Sequence, residues 1–413
     1  MRKVSVVLRV TTPLFMGGAQ NTRAELRAAS FKGLLRFWFR TLRFDCMQEA
    51  RIFGSTSEFK DSAGQPAGQS LVLLNVRELS VQKVSSLPKG HEWSGSGLAY
   101  LGYGVTKSTG PNGCTPVREC FAPGSTFQLD LTFHPQADPK DIQWVLRSLW
   151  AFWHFGGAGS RSRRGYGSIG LEHLDVTGLR VPDIFAADSV RTPVELARLL
   201  RGLISAWRNQ STSDTGTDTA NGGQNGGQDD EIPYTRFCQG TKIVVAQPKN
   251  SWEQALAYVG AEMLNFRSFK RQRNFPDDHD LIADFLTKGK ADKAPRRVVF
   301  GLPHNYFFTS LPKDSRKASV NVAGGGGESS GRRASPLFIH IHPLKNDKVT
   351  QYVPVLTFLP CEFLPAGARI SISGEVRGRN TEVKVPVSAN DYAPIEDFLR
   401  RLTHQGAVEV TLP

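Results

Sequence analysis

The stretch FGGAGSRSRRGYGSIG, residues 155–170, decides how the first half of this chain is read. Its sixteen positions hold six glycines, three arginines and one tyrosine. DIQWVLRSLWAFWHF, which leads into it, has apolar side chains at helical spacing, whereas SIGLEHLDV, which leads out of it, alternates as a strand does. The sequence therefore predicts a helix-to-strand connection made of glycine and arginine.

Two familiar phosphate-binding motifs do not fit this loop. A Walker loop needs Lys directly after its last glycine, but Tyr166 follows Gly165 and the loop has no lysine. A dinucleotide-binding fingerprint needs a third glycine where Ser162 stands, and it needs a strand before the loop instead of a helix. Neither kind of nucleotide-binding motif is therefore indicated.

Hydrophobic periods on both sides of the loop predict an alternating order of elements. In the first half they give a strand at 2–11, a helix at 29–47, strands in SLVLLNVREL and STFQLDLTFH, a helix at 140–154, and the strand after the loop. This βαββαβ order is the ferredoxin-like one, whose sheet can present a face to RNA. The second half approximates the same order. Its predicted elements are strands in TKIVVAQ, RRVVFGL, PLFIHIHPL, VPVLTFLP, ARISISGEV and AVEVTL, and helices in SWEQALAYVGAEMLNFRSFKRQ and DYAPIEDFLRRLTHQG.

The predicted fold class is α+β, with two tandem ferredoxin-like (RRM-like) βαββαβ domains and a glycine-rich loop. The first domain is predicted over 1–178, a connector over 179–239, and the second domain over 240–413. A polar stretch at 209–231 has no large apolar side chain, so it is predicted to be a flexible insert. Residues 313–335 are predicted to form a mobile loop that carries basic residues.

Composition favours a polyanionic partner or a non-specifically basic surface. The 413 residues include 51 Lys plus Arg against 38 Asp plus Glu, for a net charge of +13 and a pI near 9.6. A groove lined with Lys and Arg binds phosphates by releasing their counterions. Five cysteines form no C-x-x-C pair, and no apolar run reaches the length of a membrane helix. We therefore expect a cytoplasmic protein without a membrane segment.

The predicted first helix carries a one-sided row of cations. Lys32, Arg36, Arg40 and Arg43 follow one another at spacings of four, four and three, and no Asp or Glu lies between Glu25 and Asp45. At about 100° per residue the four fall on one face. A solvated helix face usually mixes both signs of charge, so the row favours a polyanion or an acidic partner over simple solvation.

The glycine-rich loop is interpreted as an RNA-binding element. Glycines in a turn beside the sheet let backbone N–H groups approach a ligand, although they can equally serve turns with positive φ. Arg161, Arg163 and Arg164 would bind phosphates, and Tyr166 would stack on a base. The predicted RNA-binding glycines of this loop are Gly157, Gly159, Gly165 and Gly167.

A second glycine-rich stretch, GLAYLGYGVTKSTGPNG at 97–113, adds Tyr103 and Lys107 as candidate RNA contacts and also holds Tyr100. The alternative is an ordinary insertion whose tyrosines pack inward.

Two clusters contain residue types that ligate metals. Asp277, Asp278, His279 and Asp280 lie in one short run, which helix capping explains more simply than a cation does. His340 and His342 would share one strand face, a spacing used in metal sites but equally consistent with RNA stacking or exposure. No metal and no cofactor is therefore predicted.

The sequence also resembles a known family. TPLFMGGAQNTRAELRAASFKGLLRFWFRTLR and GGAGSRSRRGYGSIG look like the first-strand and G-loop signatures of the RAMP superfamily, the RNA-binding subunits of CRISPR effector complexes. GLAYLGYG, FGLPHNYFF and GRRASPLF add a likeness to RAMP subunits of the type III-B (Cmr) complex. The likeness is strong over 1–47 and 150–175 and patchier beyond. It implies two ferredoxin-like domains, binding of crRNA near its 3′ region and of target single-stranded RNA, and other Cmr subunits as partners in antiviral defence.

Catalysis is not predicted. RAMP relatives that process crRNA resemble one another in a histidine near the first helix, whereas residues 1–90 contain none here. His154 is the nearest candidate to the loop, but it ends an apolar run and is interpreted as a packing histidine. A metal-independent endoribonuclease and a structural adaptor that docks through the basic helix stay as alternatives.

Overall fold

A computed structural model describes residues 1–56, 68–179, 190–214, 235–269, 274–324, 331–345, 349–387 and 391–410. Helices and strands alternate along the described chain. The first half contains β1 (Arg2–Val10), α1 (Ala28–Leu42), α2 (Cys46–Phe53), β2 (Val72–Ser80), β3 (Lys83–Val84), β4 (Trp93–Ser94), α3 (Ser96–Leu101), β5 (Thr106–Ser108), β6 (Gly113–Pro116), β7 (Cys120–Phe121), β8 (Thr126–Phe133), α4 (Pro139–Phe155) and β9 (Ile169–Thr177).

The second half is built in the same way, with more insertions. It contains α5 (Pro193–Asp214), β10 (Lys242–Val245), α6 (Trp252–Arg267), α7 (Pro276–Lys288), a 3-10 helix (Arg296–Phe300), β11 (His304–Phe307), a 3-10 turn (Lys313–Ser315), β12 (Lys317–Val322), β13 (Leu337–Lys345), β14 (Thr350–Phe358), β15 (Arg369–Val376), β16 (Arg379–Pro386), α8 (Ala393–His404) and β17 (Val408–Val410).

Two four-stranded antiparallel sheets organise the chain. The first has the order β2-β8-β1-β9 and the second the order β13-β14-β10-β17. Numbered within each half, both orders read second, third, first, fourth. A third antiparallel sheet, β11-β12-β15-β16, is formed by the strands inserted into the second half. The expectation of a mixed α+β protein is therefore confirmed.

Helix α4 lies in the core between the two main sheets. The Asp138 carboxylate caps its start by accepting the Lys140 N–H at 2.7 Å, and Pro139 stands in its first turn. Thirteen of its seventeen residues are buried, because the helix packs against α1 on one side and against β13 and β14 on another. A helix that is apolar nearly all round is a core helix, and this one joins the two halves in one hydrophobic cluster.

The local predictions fail at four places. The helix predicted over 29–47 is two helices, α1 and α2, because Asp45 accepts the Gln48 N–H and starts a new helix there. RRVVFGL contains a 3-10 helix instead of a strand. Helix α5 extends to Asp214, so the start of the predicted insert at 209–231 is helical, and its residues from 215 lie outside the described part. The segment 313–335 contains β12, whose Val320 is fully buried, so a mobile loop is the wrong description of that strand.

Candidate nucleic-acid interface

The glycine-rich loop, here called the G-loop and defined as residues 156–168, folds back onto the segment that follows β1. Its two ends meet where the Ala158 N–H donates to the Gly167 carbonyl at 2.9 Å. The Gly167 N–H donates to Pro13, and the Ser160 N–H donates to Phe15. The backbone donors of these three residues are therefore used inside the protein.

The glycines of the G-loop allow close approach of protein to protein. Gly159 has φ +76°, and a Cβ there would overlap the carbonyl of Phe15. A Cβ at Gly167, where φ is +65°, would overlap the Ala158 carbonyl oxygen. Atoms of the chain lie within about 3.2 Å of the position of a Cβ at Gly157, Gly159, Gly165 and Gly167, so all four glycines serve close packing. That they also open the backbone to RNA stays a prediction.

Tyr166 cannot stack on a base in this conformation. Its side chain is fully buried, its ring lies 5.8 Å from that of Phe15, and its hydroxyl donates to the Leu98 carbonyl at 2.9 Å. Burial also raises the pKa of the phenol well above its usual value. The predicted stacking role is corrected to a structural one, in which Tyr166 anchors α3 to the G-loop.

Arg163 and Arg164 hold the second half of the chain. The Arg163 guanidinium donates to the Ser335 carbonyl at 2.7 Å, and the backbone carbonyl of Arg163 accepts the Ile339 N–H at 3.1 Å. Arg164 donates to the Phe300 carbonyl at 2.6 Å and to the Met263 sulfur at 3.1 Å. Burial lowers the pKa of each guanidinium to about 10, so both stay charged at neutral pH. Both side chains therefore contact the second half of the chain, and both also line the cleft described next.

A cleft of about 1110 Å³ opens between the G-loop and the second half. This volume is slightly above the range of ordinary ligand pockets, about 300–1,000 Å³. Eight of the lining residues are arginines, and we call this site the arginine cleft. Three arginines come from the G-loop (Arg161, Arg163 and Arg164) and five from elsewhere (Arg118, Arg267, Arg297, Arg332 and Arg333).

Positive charge in the arginine cleft is largely uncompensated. No Asp or Glu is among the described residues that line it. Arg297 has an acidic partner behind the wall, Asp278 at 3.0 Å. Other cleft arginines have uncharged hydrogen-bond partners: Arg118 donates to the Ser160 hydroxyl, and Arg333 donates to the Glu362 backbone carbonyl. A concave site of one sign concentrates its field and attracts an anion.

Aromatic side chains accompany these cations. Tyr100 accepts a hydrogen bond from the Arg267 guanidinium at 2.8 Å, and Tyr103 is 68% exposed in the cleft wall. His304 also lines the cleft and accepts from Arg267. Burial, followed by the charges of Arg267, Arg297 and Arg164, holds the pKa of His304 well below its usual value, so its imidazole is neutral. Lys107 is exposed on β5 but does not line the cleft.

The cations of α1 lie apart from the cleft, and three of them have acidic partners in the turn after α1 and in α2. Glu49 of α2, nearly fully buried, pairs with Arg36 at 2.7 Å and with Arg40 at 3.5 Å. Arg43 pairs with Asp45 at 3.6 Å, and burial and the charge of Arg36 lower the pKa of Lys32. None of the four lines the arginine cleft, so the helix and the G-loop do not form one groove there.

The open face of the first sheet offers no aromatic platform. In its described strands β2, β8, β1 and β9, the only Phe residues are Phe127 and Phe133, and both are buried. Polar side chains pair on this face, as Lys3 does with Asp130 at 3.1 Å. The stacking surface of an RNA-recognition motif is thus missing from the described sheet.

The candidate histidines lie at the contact between α4 and β13, where His154 and His340 are buried and His342 is half-buried. His154 is 7% exposed and its Nδ1 lies 3.0 Å from the Trp150 carbonyl oxygen, which confirms its interpretation as a packing residue. His340 is fully buried against the Gly156 carbonyl, and the His342 ring stacks on that of His154 at 5.2 Å. Burial therefore contradicts an RNA-stacking or exposed role for His340, whereas His342 is half-buried and its ring is already stacked on His154.

The acidic run at 277–280 supports a neighbouring helix. Asp278 accepts the N–H groups of Arg296 and Arg297 at 2.7 and 3.0 Å and pairs with the Arg297 side chain, so both of its oxygens have partners. Asp278 therefore caps the 3-10 helix as well as standing in the first turn of α7. Within the described residues, no group of three or more His, Cys, Asp or Glu is arranged to hold a metal ion.

Sequence reasoning missed the five arginines that complete the cleft. They come from separate parts of the chain, at 118, 267, 297, 332 and 333. The stretch GRRASPLF contributes to the family resemblance and to a loop predicted to carry basic residues, but nothing local indicates that its two arginines face the G-loop. Arg267, at the end of α6, and Arg297 carried no signal, because only the packing of the second half brings them to the G-loop.

Comparisons with known proteins give one consistent result. The RAMP superfamily model matches residues 7–170. The CRISPR system Cmr subunit Cmr1-1 of Pyrococcus furiosus is 25% identical over 326 residues, which are 75% of this chain and 79% of that protein. Cmr subunit Cmr1-2 of the same organism is 28% identical over 188 residues, or 40% of this chain and 94% of the relative.

Solved structures agree at the level of the fold. The crystal structure of Cmr1 from Pyrococcus furiosus in its apo form has a TM-score of 0.52 at 17% identity, and the match covers 100% of this chain and 99% of that one. A chain of the Type III-B Cmr-beta structure bound to cognate target RNA has a TM-score of 0.50 at 12% identity, with 98% and 99% covered. No helix among the described residues is both long and apolar enough to cross a membrane.

Proposed function

We propose that this chain, which matches the RAMP superfamily model over residues 7–170 and is similar to the Cmr1 subunits of Pyrococcus furiosus, is an RNA-binding, non-catalytic subunit of a type III-B CRISPR effector. Its ligands would be single-stranded RNA, namely crRNA near the 3′ region, target RNA, or both. Its partners would be the other Cmr subunits, and its place the cytoplasm. The related structure named as bound to target RNA supports this role.

The observation that carries the proposal is the arginine cleft. Eight guanidiniums line one concave site, and no described acidic residue lines it with them. RNA has one negative charge per phosphate, and guanidinium matches phosphate geometry in a bidentate way. A cleft is suited to a single strand, whose bases can be unstacked and reach Tyr103.

We propose that each half is a ferredoxin-like unit. Support comes from the shared strand order, β2-β8-β1-β9 and β13-β14-β10-β17, with a helix following the first strand and another preceding the last strand of each sheet. On this view the domains extend over 1–178 and 240–413, joined by 179–239.

Among the candidate residues, Arg161 and Tyr103 are proposed as direct contacts in the cleft, with Arg332 opposite them. Arg163 and Arg164 add charge from the floor while they hold the two halves together. Lys107 and the α1 cations Lys32, Arg36, Arg40 and Arg43 are proposed as contacts for RNA that extends beyond the cleft.

Charge reversal in the cleft tests the proposal. We expect Arg161→Glu/Arg332→Glu to weaken binding of labelled single-stranded RNA by at least about tenfold, because two charge-assisted contacts are lost. In a salt series measured by fluorescence anisotropy, the slope of log K against log salt should become shallower by about 1.4, or about 0.7 for each lost phosphate contact.

A matched variant controls for net charge. Arg377→Glu/Arg379→Glu makes the same charge change on the exposed turn between β15 and β16, away from the cleft. This variant should keep nearly full affinity. Equal loss in both double variants would show that binding depends on overall charge and would contradict a specific site.

The adaptor alternative has one observation in its favour. Phe44 and Met47 are 44% and 41% exposed in and just after the turn between α1 and α2, close in sequence to the basic face of α1. If this surface docks a protein, Met47→Glu should abolish assembly with Cmr subunits while the RNA affinity of the isolated chain stays unchanged. Pull-down of reconstituted subunits separates this role from RNA binding.

A further inference from the structure

We propose that the outer part of the arginine cleft, formed by Arg161 and Arg332, binds a phosphate monoester at an end of the RNA. Internal phosphodiesters would occupy the rest of the cleft. This inference rests on the proposed function, in which the cleft takes single-stranded RNA, and it specifies which chemical group is held at one position.

Among the described residues, Arg161 and Arg332 differ from the other six cleft arginines, because no described group forms a hydrogen bond or an ion pair with their side chains. The six whose side chains do have such a partner are Arg118, Arg163, Arg164, Arg267, Arg297 and Arg333. Both are exposed and both line the cleft. Partial burial and then the positive charge of Arg332 lower the pKa of Arg161, which shows that the two cations oppose each other.

The backbone of Arg161 gives a second, independent observation. Its φ is +63°, in the left-handed region that glycine adopts readily and other residues rarely do. Only one other described non-glycine residue has positive φ, Arg377 in the tight turn before Gly378. The arginine at this left-handed position lines the cleft, and backbone conformations of this kind are found more often at functional sites.

The chemistry of the two guanidiniums favours a monoester. A phosphate monoester has a charge near −2 at neutral pH and three terminal oxygens, so it can accept paired N–H groups from two arginines at once. A phosphodiester has one charge and two such oxygens. Two unpaired cations that repel each other are therefore neutralised by one monoester and only half neutralised by one diester.

The wall beside the pair fits the last nucleotide of a strand. The Arg161 guanidinium passes close to Gly104, next to the exposed Tyr103. A terminal base can stack on Tyr103 while its own phosphate reaches Arg161 and Arg332, and the preceding phosphates lie over the other arginines.

The test compares short RNAs with equal numbers of phosphates. Trinucleotides of a single base with a 3′-phosphate or a 5′-phosphate are compared with the hydroxyl-ended tetranucleotide of the same base. Each of these RNAs has three phosphates, and affinity is measured by calorimetry with the full chain. We expect one of the two phosphate-ended forms to bind about tenfold more tightly than the tetranucleotide, which corresponds to one additional charge-assisted contact. The arm that binds identifies which end is recognised, and competition by inorganic phosphate shows whether the monoester suffices without RNA.

Single variants assign the preference to the proposed pair. In Arg161→Ala and in Arg332→Ala, the affinities of the phosphate-ended trinucleotide and the tetranucleotide should differ by no more than about twofold, since each variant lacks one of the two guanidiniums. Arg377→Ala, which changes an exposed arginine of similar backbone geometry outside the cleft, should leave the preference intact.

Three results would overturn the inference. Equal affinity of all three RNAs would leave the RNA cleft standing and remove the end-specific site. A preference that survives both Arg161→Ala and Arg332→Ala would place the monoester elsewhere. Failure of the wild-type chain to bind any of these RNAs, or a longer single strand, would remove the proposed function as well.

Discussion

Tyr103 and Tyr166, which both lie in glycine-rich loops, differ in exposure. Tyr166, in the arginine-rich stretch, is completely buried under α3, whereas Tyr103 is 68% exposed in the cleft wall. In the sequence both stand among glycines, so composition cannot distinguish them. The difference arises from contacts with Phe15 and Leu98, residues that lie far away along the chain.

Because Tyr103 is exposed in the cleft, its substitution should change RNA affinity more than stability. Tyr103→Ala should weaken single-stranded RNA binding by about 1–3 kcal/mol, the usual loss when a stacking ring is removed. Because the side chain is exposed, its removal should change the free energy of unfolding by less than about 0.5 kcal/mol. Anisotropy titration and urea unfolding measure the two quantities.

Phe307→Ala is the matched control, since Phe307 is 61% exposed but does not line the cleft. It should bind RNA as the wild type does. If Phe307→Ala and Tyr103→Ala lost equal affinity, stacking in the cleft would not explain binding.

At the scale of elements, the contact between α4 and β13 contains three histidines in an apolar setting. Burial lowers the pKa of His154 to about 3 and that of His340 to about 4, and it holds the pKa of His342 well below its usual value. Each imidazole is therefore neutral in the folded chain, while in the unfolded chain it takes up a proton near pH 6.5.

Stability should fall as the pH falls below about 6.5, because the unfolded state then binds more protons than the folded state. Above that pH the contribution is fully present. Each histidine adds a slope of about 1.4 kcal/mol per pH unit until its folded pKa is reached. Urea unfolding at pH 7.5, 6 and 5 measures this slope.

His342→Gln should make this slope shallower by up to about 1.4 kcal/mol per pH unit, the contribution of one proton. His404→Gln, at the exposed last residue of α8, should not change it. A wild-type unfolding free energy that is independent of pH between 7.5 and 5 would contradict this account of the core.

At the scale of the whole molecule, the second half completes the site that the first half begins. The G-loop supplies Arg161, but Arg332 and Arg333 come from the segment before β13, and Arg267 comes from the end of α6. Arg163 and Arg164 fix this arrangement by donating to Ser335 and Phe300. A cleft made in this way depends on both halves.

The sequence predicts the elements better than it predicts the site. Periodicity identifies β1, α4, β9 and most strands of the main sheets, because each follows from local spacing of apolar residues. It does not reveal that Glu49 pairs with Arg36 and Arg40, nor that the arginines of GRRASPLF face the G-loop. The first contact depends on how α2 folds back on α1, and the second on packing between segments far apart along the chain, so the local spacing of residues predicts neither.

Photo-crosslinking tests most directly whether RNA occupies the arginine cleft. Single-stranded RNA that contains 4-thiouridine is irradiated with the full chain, and the crosslinked peptides are identified by mass spectrometry. We predict crosslinks in the peptides that carry Tyr100, Tyr103 and His304, with loss of these crosslinks in Arg161→Glu/Arg332→Glu. Crosslinks confined to α1 or to the open face of the first sheet, with none in the cleft, would contradict the account.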